Sequence, residues 1–140
     1  MEFQIDTLNN LNNVARAFLT SFHEQKVFAF SGEMGSGKTT FINSLLNVLG
    51  VHNSEGSPTY SLVNTYDIPA TGKLFHMDLY RLNDESEAYD MGIEEMLFSN
   101  GYCFIEWPEK ITNLLPENTI WVYIRKEVNE SRIITIENGY

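Results

Sequence analysis

One cysteine, Cys103, stands in 140 residues, so no disulfide can form within the chain and the fold must rest on its core. Arginine is almost as scarce, with only Arg16, Arg81, Arg125 and Arg132. Basic residues number 9 against 19 acidic ones, a formal net charge of −10. That balance argues against extensive direct contact with nucleic acid, which needs cationic surface to neutralise phosphates. No apolar run approaches the ~20 residues of a membrane-spanning helix. Residues 1–6 lack the basic start and apolar stretch of a signal peptide, and with the lone cysteine they point to the cytoplasm. There is no internal repeat, low-complexity tract or linker, so one domain over residues 1–140 is expected. A chain of this length can bury about two-thirds of its surface without covalent staples.

What the sequence does hold is Gly32-Glu33-Met34-Gly35-Ser36-Gly37-Lys38-Thr39. This fits the phosphate-loop pattern of Gly, four residues, Gly-Lys-Thr. Glycines let backbone N–H groups turn inward around a polyphosphate. Lys38 can reach the outer phosphates and the Thr39 hydroxyl can ligate magnesium. Such a loop belongs between a buried strand and a helix, whose N-terminus favours anions. Residues 27–30 are wholly apolar, as a central parallel strand would be. Ile42, Leu45, Leu46 and Leu49 repeat on one helical face, and Gly50 is placed to end that helix.

The remaining elements follow by pattern. Residues 2–6 read as a strand, with Asp6 or Thr7 as an N-cap for a helix running through about Phe22. Residues 51–60 are polar and aperiodic, an ordered loop. Within it Ser57-Pro58-Thr59 has two readings: a switch whose Thr59 hydroxyl senses the terminal phosphate or its magnesium, or a proline turn capped by hydroxyls. Residues 62–68 and 73–78 read as an antiparallel hairpin joined by residues 69–72. Alternation sends His76, Asp78 and Tyr80 to one face. Either His76 and Asp78 hold magnesium or a water, or Asp78 caps the next turn and His76 faces the surface.

Residues 83–96 suggest helix pieces broken at Gly92, with Asp84 as N-cap. Residues 102–106 form a second apolar strand ending in Glu106, the physical form of a Walker B element that carries an acid to the sheet's C-terminal edge. Trp107 reads as packing and Cys103 as inert core. Residues 108–115 read as a short helix, and 120–124 and 132–137 as closing strands. Arg125 or Arg132 is a candidate for the rim of a base site, and each is equally readable as a surface charge.

The Gly32 to Thr40 loop, Ser57-Pro58-Thr59-Tyr60, His76-Met77-Asp78-Leu79-Tyr80-Arg81-Leu82 and Glu106-Trp107-Pro108-Glu109 occur in this order. Together they resemble the bacterial TsaE (YjeE) family, over roughly residues 6–132. The resemblance implies an ATPase of tRNA threonylcarbamoyladenosine biosynthesis that binds ATP with magnesium and hydrolyses it slowly. It implies work with a TsaB–TsaD pair, in which TsaD transfers the threonylcarbamoyl group and the ATP cycle resets the assembly. By motif match, Gly35, Ser36, Gly37, Lys38, Thr39 and Thr40 would hold phosphates. Thr39 and Glu106 would be the magnesium pair, Asp78 would serve hydrolysis beside Lys38, and Thr59 would sit in the first switch. Thr7 and Arg132 are candidates at the base.

The expected fold is α/β: a three-layer sandwich like the P-loop NTPases, with a parallel core containing 27–30 and 102–105 and antiparallel flanking strands. Two other functions fit a phosphate loop. A small-molecule kinase usually carries an arginine-rich lid, and no arginine cluster appears here. A nucleotide-dependent docking switch would make hydrolysis incidental. Unless Arg81 swings in, the scarcity of arginine should leave the isolated chain a poor catalyst, one that a partner's cation would complete.

Overall fold

The computed structural model describes residues 1–58, 61–69 and 71–138. Seven strands form one sheet: β1 (Glu2–Ile5), β2 (Val27–Ser31), β3 (Val63–Ile68), β4 (Gly72–Asp78), β5 (Tyr102–Glu106), β6 (Ile120–Lys126) and β7 (Arg132–Asn138). Their spatial order is β1-β7-β6-β2-β5-β4-β3. The centre is parallel, with β2 between β5 and β6 and β4 beyond β5. The flanks are antiparallel: β3 on β4 at one edge, β7 on β6 and β1 on β7 at the other. This is the expected mixed sheet, with β4 and β6 added to the parallel core.

Alternation along the central strands divides the apolar residues between two faces. Phe28, Phe30, Leu74 and Phe104 face α1 (Leu11–Ser21) and α2 (Lys38–Val48). Here the aromatic rings interlock: Phe18 of α1 lies 5.3 Å from Phe28 and 5.5 Å from Phe41 of α2, and Phe104 lies 5.7 Å from both Phe28 and Phe30. Val27, Met77, Cys103 and Ile105 face α3 (Glu85–Asp90), α4 (Ile93–Leu97) and the segment after β5. Helices on both faces make the three layers. Among the described residues no helix is long and apolar enough to cross a membrane.

Three local readings are refined or corrected. Thr7 is the N-cap, one of the two expected positions, but the first turn over Leu8–Asn10 is 3-10 and α1 follows from Leu11. The Asn10 N–H donates to the Thr7 carbonyl at 3.3 Å and the Thr7 N–H to Asn10 Oδ1 at 3.4 Å, closing that turn. The short helix expected after β5 is 3-10 in form over Pro108–Leu114, broken at Ile111 with φ −136°. His76 is not at the surface but fully buried. Asp84 does cap α3, accepting from the Glu87 N–H at 2.9 Å, and Gly92 does divide α3 from α4.

Burial pushes the Cys103 thiol up to about 12. The thiol should therefore resist alkylation in the folded chain between pH 7 and about pH 9, where a free cysteine reacts readily. Its pKa is raised above the 9.0 of an exposed thiol, so the folded chain holds that proton longer than the unfolded chain. Stability from this group is full below pH 9.0 and declines as the pH rises from there toward about 12. Timed reaction with a chromogenic disulfide, with and without denaturant, checks the first point. Rapid labelling without denaturant would contradict it.

Candidate phosphate-binding site

The loop between β2 and α2 turns on glycines for two separate reasons. A Cβ on Gly32 would stand 2.6 Å from the Ile124 carbonyl oxygen of β6, so only glycine lets the loop pass that strand. Gly37 caps α2 at φ 105°, a conformation that side chains rarely adopt. A Cβ there would also meet Arg132 Nε at 3.2 Å. The first-turn N–H groups of α2 thus open toward the C-terminal edge of the parallel strands, where an anion is favoured. Among the described residues, Ser36 Oγ is buried in this loop with no hydrogen-bond partner. An orphaned hydroxyl beside free helix N–H groups suits a phosphate oxygen.

Register then delivers the acids. β4 and β5 run parallel with Asp78 opposite Glu106, and β2 sets Phe30 opposite Glu106. Two residues beyond Leu74 and Phe104, His76 and Glu106 point to the α2 side of the sheet. Glu106, only 2% exposed, is held at both oxygens. Thr39 Oγ1 donates to Oε1 at 2.9 Å, and His76 Nε2 donates to Oε2 at 2.7 Å. Ser57 Oγ lies 3.3 Å from the same Oε2 and donates to Asp78 Oδ2. The other Asp78 oxygen accepts the Tyr80 N–H at 3.1 Å. Asp78 therefore both caps the turn after β4 and belongs to the acidic cluster, so the two readings of it coexist.

Lys38 closes the arrangement. Its Nζ donates to the Gly32 carbonyl at 2.6 Å and sits 3.6 Å from the centre of the Trp107 ring. Burial pulls its pKa below the ordinary lysine value, opposed by the nearby carboxylates of Glu106, Glu109 and Asp78. Glu109 in turn accepts from Ser31 Oγ at 3.1 Å.

Two cavities of about 380 Å³ each meet at this loop. One is lined by Gly35, Gly37, Lys38, Thr39, Asp78 and Glu106 among others. The second is more apolar, with Leu8, Leu11, Phe41, Ile124 and Ile134 around Thr7 and Arg132. Gly37, Thr40 and Arg132 line both, so the two form one groove. Two carboxylates and two hydroxyls at one end are hard oxygen donors of the kind magnesium takes, its remaining positions going to water or phosphate. A planar apolar group joined to phosphates matches the whole groove in chemistry.

Of the residues singled out by sequence, Gly35, Ser36, Gly37, Lys38, Thr39, Thr40, Asp78 and Glu106 converge on the first cavity or its loop. Thr7 and Arg132 meet at the second. Arg125 is elsewhere, paired with Glu127 at 3.6 Å and reaching Thr135. Thr59 lies outside the described residues. Three contributors carried little signal of their own. Ser57 sits in an aperiodic loop, the His76 partner lies on another strand, and Trp107 looked like packing.

The family model described as "Threonylcarbamoyl adenosine biosynthesis protein TsaE" matches residues 5–134. A protein of Treponema pallidum named tRNA threonylcarbamoyladenosine biosynthesis protein TsaE is 35% identical over 113 residues, covering 81% of this chain and 82% of that one. One of the same name from Rickettsia bellii is 36% identical over 129 residues, covering 91% and 88%. The crystal structure of Bacillus YdiB superposes with a TM-score of 0.77 at 23% identity, over 100% of this chain and 86% of that chain, and so shares the fold. With a family model matched over residues 5–134 and relatives 35% and 36% identical aligned over at least 81% of either chain, this chain belongs to the TsaE family of threonylcarbamoyl adenosine biosynthesis proteins.

Proposed function

We propose that this chain binds ATP with magnesium, hydrolyses it slowly, and in doing so supports repeated rounds of tRNA threonylcarbamoyladenosine formation by a TsaB–TsaD pair. One observation carries the reading: Lys38, Thr39, Asp78 and Glu106 share a cavity that runs on into an apolar one at Thr7 and Arg132. Phosphates would lie over the loop at Gly35–Thr40 and the base in the apolar cavity. Thr39 and Glu106 would hold magnesium, which when bound neutralises charge on the transferring phosphoryl group.

The chain's own residues have distinct tasks in this scheme. Lys38 brings a cation to the outer phosphate oxygens. His76 and Thr39 fix the Glu106 carboxylate in one orientation, so that no rotamer search precedes its action. Asp78, tied to the Tyr80 N–H and the Ser57 hydroxyl, would orient the attacking water. Thr59 remains part of the proposal as the switch hydroxyl. The threonylcarbamoyl transfer itself belongs to the partner, and the net charge of −10 leaves the tRNA to partners as well. A tRNA-modification role belongs in the cytoplasm.

A partner is further supported by the cavity rim, where Met34 and Tyr80 are 69% and 51% exposed. Large apolar side chains held in water beside a reaction site favour coverage by another protein. The test is ATP hydrolysis by the purified chain with and without TsaB–TsaD, together with multiple-turnover modification of tRNA. Slow hydrolysis raised by the pair supports the reading. The docking-switch alternative predicts that a Glu106→Ala protein still sustains many rounds of modification.

A further inference from the structure

Trp107 stands in a conformation that its sequence does not favour. Its φ and ψ are 60° and 51°, the left-handed region, although it is a bulky residue. It also precedes Pro108, and a following proline further disfavours helical backbone. Strain of this kind persists only where the surroundings impose it, and it clusters at functional sites. The consequence of the turn is a direction. It aims the indole back across the end of β5 into the phosphate cavity, instead of onward with the chain.

There the ring meets the Lys38 ammonium at 3.6 Å on one side and the Tyr80 ring at 5.1 Å, tilted by 52°. The ammonium has three N–H donors. One is spent on the Gly32 carbonyl and the indole face takes another direction. Ring and carbonyl together leave one donor direction free. Cation–π attraction is strongest with indole and grows when the cation is desolvated, as the buried Lys38 is.

We infer that Trp107 is a positioning residue for Lys38: its indole face holds the ammonium at the mouth of the loop, with the remaining donor presented to the nucleotide's outer phosphates. The Tyr80 ring packs on the same indole, 5.1 Å between centroids. This rests on the nucleotide reading above and deepens it, because it adds an aromatic support to the lysine of the loop.

The experiment uses the full chain in a Trp121→Phe background, so that Trp107 is the one fluorophore of its type. An ammonium in contact with indole quenches its emission, so Lys38→Met should brighten Trp107. ATP binding is measured separately by equilibrium dialysis. Trp107→Leu should weaken it about tenfold, whereas Trp107→Phe, which keeps an aromatic face, should recover most of the loss. A merely structural tryptophan would be rescued as well by leucine as by phenylalanine, and its emission would ignore Lys38. Unchanged emission in Lys38→Met overturns the inference. So does a Trp107→Leu chain that binds ATP like the parent, or a Trp107→Phe chain as impaired as Trp107→Leu. If the parent chain binds no ATP, the nucleotide reading fails and the emission comparison alone decides the placement of Lys38. A melting curve for each variant confirms that the folded protein is being compared.

Discussion

Glu106→Gln should lower ATP hydrolysis on the order of a hundredfold while leaving the chain folded. The side chain sits at the meeting point of β4, β5 and α2, and its two oxygens accept from Thr39 and His76, with Ser57 Oγ 3.3 Å from one of them. Glutamine keeps the shape and one acceptor. Its amide can donate to the His76 ring nitrogen if the imidazole proton moves to Nδ1. That nitrogen is buried with no hydrogen-bond partner among the described residues, so the move disrupts no existing bond. What disappears is the negative charge beside the site proposed for the metal. Glu106→Ala is different, because it also strips the acceptor from a fully buried histidine and from Thr39. Leaving such groups unpaired costs on the order of 3 kcal/mol. Hydrolysis rates and thermal melts of both variants separate the two effects. A Glu106→Gln chain as active as the parent would remove Glu106 from the chemistry.

Lys38→Ala should abolish measurable ATP binding, with a loss of at least a hundredfold, the scale of a desolvated charge-assisted contact. It should do so without lowering the melting temperature at neutral pH. The folded pKa of Lys38 lies below 10.5, chiefly through burial. The unfolded chain therefore holds the proton more firmly than the folded one. By linkage, stability rises with pH over the window between the folded value and 10.5. Below that window the buried charge is a net cost, which alanine removes. The lost indole contact offsets part of this gain. Loss of binding accompanied by a collapsed melting temperature would show that Lys38 is structural instead.

Much of this was readable from the residues because the decisive signals are local. The phosphate loop announces itself through glycine spacing, and the two central strands through length and apolar composition. Glu106 could be picked out because a buried strand ends on it. The acidic cluster was only half legible, since its members meet through register. That β4 lies beside β5, with Asp78 opposite Glu106, is a fact of strand order, and strand order is fixed by long-range packing. His76 is the sharpest instance. Alternation gave its face correctly but could not say that α2 covers that face, which decides between a surface and a buried imidazole. Ser57 needed the path of an aperiodic loop to be known. The 3-10 form of Pro108–Leu114 follows from the left-handed turn at Trp107 and the break at Ile111, neither of which has a pattern in the chain.

This groove is proposed to be an ATP site whose turnover a partner completes. Its most direct test is the steady-state rate of phosphate release from ATP by the purified chain, measured alone and with a TsaB–TsaD pair added. A slow rate alone, a clear rise with the pair, and no release in either case from Lys38→Ala are the expected results. ATP hydrolysed just as fast without the pair as with it, or a Lys38→Ala chain that keeps its activity, would contradict it.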